Sequence, residues 1–209
     1  PNYSLGEEIT NAILHGIGAL LAIAALVLCV VFSAIHHNPY AVVSSCLYGS
    51  TLIILYTMSC LYHSLKVNNA KRVFRIIDHC SIFLLIAGTY TPLTLVSLNG
   101  PIGWTLFGII WGVSILGIIL NAIDLNKYKV ISMILYIMMG WAIIFTFPRL
   151  LKVIDMAGIY LLVAGGIVYT IGAIFYGVGK KIKYMHSVFH FFVLAGSILH
   201  FFAILLYVI

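Results

Sequence analysis

Long apolar runs alternate with short polar breaks along the whole chain. The breaks fall at Pro, Gly, Asn and charged clusters, and they divide it into seven runs at about 11–35, 40–65, 73–97, 102–122, 128–147, 157–178 and 185–208. Each run is about 20 residues or longer, the length a helix needs to cross some 30 Å of hydrocarbon, whereas an outer-membrane strand needs only about ten. The pattern therefore predicts an all-α integral membrane protein, one seven-transmembrane helix bundle over residues 1–209. The connections are short, and no internal repeat, linker or low-complexity segment interrupts them.

Composition agrees: 63% of the 209 residues are hydrophobic and 8% charged, where soluble domains carry about a quarter charged residues. Mean hydropathy is +1.16. The segment ahead of the first run has Glu7 and Glu8 and no basic cluster, unlike a cleavable signal peptide, so the first span is expected to be retained. Cys29, Cys46, Cys60 and Cys80 form no C-x-x-C pair. They read as buried hydrophobes instead of a disulfide framework or a cysteine zinc site.

Charge sets the expected orientation. Lys66, Lys71, Arg72, Arg75, Lys127, Lys129, Lys180, Lys181 and Lys183, nine of the eleven basic residues, lie in or beside the second, fourth and sixth connections. Only Arg149 and Lys152 lie in the odd ones. Basic residues near span ends stay in the cytoplasm, so the N-terminus is expected inside and the C-terminus outside. The formal charge of +6 is thus a topology signal, and nucleic-acid binding is a poor reading of it.

Orientation then fixes depth. Span two runs inward, which puts His63 near its cytoplasmic end and Ser59 one turn deeper on the same face. Spans three and seven begin inside, so Asp78, His186 and His190 share that layer. Ionisable groups within a membrane are costly and are functional candidates by default. His186 and His190, four residues apart, sit about 6 Å from each other along one helix face. Three neutral imidazoles plus an open position make the usual catalytic Zn²⁺ set, and such an ion lowers the pKa of its water to about 7. Asp78 is placed to orient that water or take its proton, and Ser59 to hydrogen-bond to water or to a substrate carbonyl. The glutamate of the H-E-x-x-H motif is absent, Ser187 standing in its place, so the base must come from another span.

Each histidine taken alone reads equally as an interhelical hydrogen-bonding group; five polar groups in one layer favour the metal. His15 reads as interfacial or as a donor behind the ligands. His36 and His37 read as solvated, and His79 as a packing group pointing about 100° from Asp78. His200, about 15 Å deeper than His190, is too far to share its ion and is a candidate for lining a cavity. Gly108 and Gly112 form a small-xxx-small pair expected to pack span four closely on a neighbour. Pro92 is expected to kink span three above Asp78.

Glu7-Glu8-Ile9 with Asn11 and His15-Gly16-Ile17-Gly18, Ser59-x3-His63, Asp78 followed by Ala87-Gly88-Thr89-Tyr90-Thr91-Pro92, and His186-x3-His190 followed by His200 together resemble the hemolysin III branch of the progestin and adipoQ receptor family. The match covers nearly the whole chain. The resemblance implies a seven-helix bundle with a cytoplasmic N-terminus in a bacterial plasma membrane. Through the adiponectin receptors and alkaline ceramidases it implies zinc on His63, His186 and His190, a water near Asp78 and Ser59, and hydrolysis of a lipid amide. The name of the branch also implies membrane lysis, although the short loops offer no evident pore-forming device.

The first expectation is therefore a zinc-dependent membrane hydrolase acting on a lipid amide or ester that enters from the cytoplasmic leaflet. The alternative is a non-enzymatic protein with structural zinc that senses lipid state or lyses membranes. A metal or proton transporter is a third option, which needs polar residues continuing to the outer face.

Overall fold

The computed structural model describes residues 3–178 and 182–209. Lys180 and Lys181, on which part of the charge count rests, lie outside the described residues. The described chain is all-helical: α1 (Leu5–Ile35), α2 (Pro39–Ser64), α3 (Asn69–Pro92), α4 (Gly100–Trp141), α5 (Phe147–Leu150), α6 (Met156–Val178) and α7 (Met185–Tyr207). A π-helical turn, Leu93–Leu98, joins α3 to α4, and a 3₁₀ turn, Ala142–Thr146, leads into α5. Among the described residues, six helices are long and apolar enough to cross a membrane. The chain is a multi-pass membrane protein.

The fourth of these, Gly100–Leu150, would be about 76 Å long if straight, more than twice the hydrocarbon thickness. It is not straight. Asp124 leaves helical geometry at φ −157°, ψ 96°. Its Oδ1 accepts from Asn126 N and Lys127 N, both at 3.0 Å, as a residue capping a new helix does. Ser132 Oγ then donates to Asn121 Oδ1 at 2.6 Å across the break. Eleven helical residues would span about 16 Å, so the chain doubles back at Asp124.

Local chemistry sets the other ends. Ser4 and Glu7 form a capping box at α1, and Asn38 and Asn68 cap α2 and α3 through bonds to Ala41 N and Lys71 N. Pro92 lacks the amide that would continue the α3 ladder, and the widened turn Leu93–Leu98 follows it directly, in keeping with the expected kink. α2 and α3 touch where Gly88 meets Thr51, an approach that leaves no room for a Cβ.

Two apolar cores result. One joins α3, α4, α5 and α6 around Phe83, Ile110, Leu150 and Ile159; the other joins α1, α2, α3 and α7 around Cys29, Tyr56 and Ile204. Two packing expectations need correction. A Cβ on Gly108 or Gly112 would meet nothing within 4 Å, whereas Gly117 lies against the Phe83 ring, so the close contact of this half uses a different glycine. All four cysteines are free, but only Cys29 is buried and Cys46 is exposed, because an outward helix face in lipid is as apolar as an inward one.

Candidate metal centre

Three connections meet at one end of the bundle. Lys71, beyond α2, donates to Glu8 of α1 at 2.7 Å; Arg75 of α3 reaches Asn126 at the Asp124 reversal at 3.4 Å; and Tyr184, just before α7, donates its N–H to Glu7 Oε1 at 2.7 Å. Tyr184 adopts a left-handed backbone at φ 63°, uncommon for a residue with a side chain. Glu7 uses its other oxygen, Oε2, in the capping box with Ser4. One carboxylate thus fixes the starts of both α1 and α7, and α7 begins where His186 can face inward.

At this end His63, His186 and His190 converge. One nitrogen from each ring lies within 4.8 Å of the other two, and all three residues are buried; no other such set occurs among the described residues. His190 Nε2 is 2.9 Å from His186 Nε2. Two neutral imidazoles so placed share one proton at most. His63 Nε2 is buried without a partner, a costly state for a polar atom. A cation among these three nitrogens removes both problems, so the residues fit a metal. An all-imidazole donor set suits Zn, Cu, Fe or Ni better than Mg or Ca.

Ser59 precedes His63 by one turn of α2, and Asp78 shares a cavity with two of the three histidines. Ser59 Oγ is buried without a hydrogen-bond partner. Asp78 is half-buried, with Oδ2 3.5 Å from His79 Nδ1. It lines a cavity of about 170 Å³ together with His186 and His190. The rest of that lining is mainly apolar and reaches Tyr90, Trp141 and His200. His79 also lines it, its Nδ1 held by Arg75 O at 2.8 Å. At the far end His200 Nε2 donates to Leu162 O at 3.1 Å, leaving Nδ1 buried and unpartnered. The expected cavity-lining place of His200 is thus observed.

Sequence reasoning undervalued α1. His15, read first as interfacial, is buried, and its Nε2 lies 2.6 Å from His190 Nδ1. Glu8 Oε2 lies 2.6 Å from His63 Nδ1, and Asn11 is buried and accepts from Ser187 Oγ at 2.6 Å. The available signal was the spacing of Glu8, Asn11 and His15, three and four residues apart on one helical face. Tyr3 closes the site from outside the bundle, its ring stacked on His186 with centroids 4.6 Å apart. Burial pushes the Tyr3 phenol well above its ordinary pKa, so it stays neutral.

Comparison with known proteins gives a consistent picture. Residues 3–201 match the family model described as Haemolysin-III related. The chain is 44% identical over 203 residues to "Hemolysin-3" of Bacillus cereus, covering 97% of this chain and 92% of that protein. It is 41% identical over 205 residues to "Hemolysin-3 homolog" of Bacillus subtilis (strain 168), covering 98% and 96%. The human "Monocyte to macrophage differentiation factor" is 26% identical over 205 residues, covering 95% and 83%. No solved structure matches.

Proposed function

The chain belongs to the haemolysin-III-related family, and from that premise we propose a zinc-dependent membrane hydrolase that cleaves a lipid amide or ester at the cytoplasmic leaflet. In this reading the reversal at Asp124 divides Gly100–Leu150 into two spans, giving seven in a single domain. The basic end carrying Lys66, Lys71, Arg72, Lys127 and Lys129 faces the cytoplasm of a bacterial plasma membrane, and the C-terminus lies outside.

The observation that carries the proposal is the convergence of His63, His186 and His190, the last two lining an apolar cavity that Asp78 also lines. When bound, zinc supplies Lewis acidity and a water of lowered pKa. His63, His186 and His190 would hold it. Asp78 accepts the proton of the attacking water and returns it to the leaving group. Ser59, with its hydroxyl free, donates to the substrate carbonyl. The apolar cavity wall binds hydrocarbon and keeps bulk water from the reacting carbonyl.

A second reading follows from the name of the Bacillus cereus relative, "Hemolysin-3": zinc is structural, and the protein lyses membranes or senses lipid state without turnover. Protein purified in detergent should carry about one zinc per chain, measured by elemental analysis, and should release fatty acid from a panel of N-acyl and O-acyl lipids. Zinc without turnover across the panel selects the second reading; absence of zinc rejects both.

A further inference from the structure

We propose that one face of α1 positions the metal ligands: Glu8 and His15 hold the ring nitrogens that His63 and His190 turn away from the ion. The proposal rests on the reading of the three histidines as a metal site. An imidazole that coordinates through one nitrogen carries its proton on the other, and that N–H needs an acceptor when buried. His63 Nδ1 lies 2.6 Å from Glu8 Oε2, while His63 Nε2 faces no protein partner. The carboxylate therefore selects the tautomer with hydrogen on Nδ1 and the lone pair on Nε2.

Glu8 is itself held. Its Oε1 accepts from Lys71 Nζ at 2.7 Å, and the same ammonium donates to Leu65 O at 3.0 Å. Each carboxylate oxygen thus has one partner, and Lys71 fixes the group against the end of α2. Seven residues along α1, His15 Nε2 lies 2.6 Å from His190 Nδ1, while His190 Nε2 points at His186. With His15 accepting, His190 too presents an unprotonated Nε2. Asn11 lies between, its Oδ1 accepting from Ser187 Oγ on α7. One helix therefore orients ligands from two others that are more than 120 residues apart in the chain. A merely packing stripe would be indifferent to which nitrogen of each ring it touched.

The test is the zinc dissociation constant of purified protein, measured by chelator competition, with the visible spectrum of the cobalt form as a second readout. Glu8→Gln keeps shape and removes the charge; it should weaken zinc by about 10–100-fold, the usual cost of losing such a partner, and shift the cobalt bands. Glu8→Asp should recover part of the loss, and His15→Phe should weaken zinc over the same range. Melting temperatures in chelator must match wild type, which separates positioning from folding. Wild-type protein that takes no zinc removes the underlying metal reading. Wild-type zinc binding with Glu8→Gln and His15→Phe unchanged within twofold overturns this proposal alone. Should either variant fail to fold, Lys71→Met decides: unchanged affinity and cobalt spectrum overturn the proposal, and weaker zinc with altered bands supports it.

Discussion

Both ends of the cavity carry histidine, and they differ in company more than in kind. At the far end His200 donates Nε2–H to Leu162 O and keeps Nδ1 free in a buried position. His63 does the same in mirror image, with Nδ1 on Glu8 and Nε2 free. A buried imidazole with one nitrogen engaged and one lone pair spare is thus common to both. Only at the α1 end do two more rings bring nitrogens within 4.8 Å. Convergence, not burial or tautomer, distinguishes a metal centre from a solitary acceptor.

The strongest break in that comparison is the double change His186→Ala with His190→Ala. It should take zinc from about one per chain to background, since a single remaining imidazole cannot make a three-ligand site; unaltered zinc by elemental analysis would remove convergence as the criterion. Next, Asp78→Asn should leave zinc content in place and lower lipid hydrolysis by about 10²–10⁴-fold, the usual contribution of a positioned base. Loss of metal in parallel with activity would move Asp78 from the chemistry into the scaffold. The mildest change is at the far end. His200→Phe should leave zinc affinity within twofold and cost stability by about 0.5–1.5 kcal/mol, the worth of its hydrogen bond to Leu162, read as a lower melting temperature in detergent. Zinc loss there would mean that the two ends are not independent.

Several helix ends were readable because water and hydrocarbon sort residues along one dimension. Run ends predicted at 35, 65 and 178 fall at Ile35, Ser64 and Val178 in the structure. The grouping of His63 with His186 and His190 was readable as well, and their nitrogens lie within 4.8 Å of one another. Lateral packing was not. A lipid-facing helix surface is as apolar as a buried one, so periodicity does not say which face meets a neighbour. Gly108 and Gly112 were misassigned for that reason. Of the two readings of His15, the interfacial one fails: α1 begins at Leu5, which sets His15 about 15 Å along the helix, buried and 2.6 Å from His190. Of the polar face from Glu8 to His15, only Glu8 precedes the apolar run that begins at about residue 11.

The stacking of Tyr3 on His186 governs how the protein can be handled. A polyhistidine purification tag fused ahead of Tyr3 would be tethered within a few residues of the buried imidazoles and would offer competing ones. Zinc counted on such material would mix tag with site, and immobilised nickel would compete for the three-histidine cluster. α7 carries the chain the other way: Tyr207 lies 21 helical residues from His186, about 31 Å along the axis. An affinity handle after Ile209 keeps that distance and leaves the aromatic cover over the site untouched.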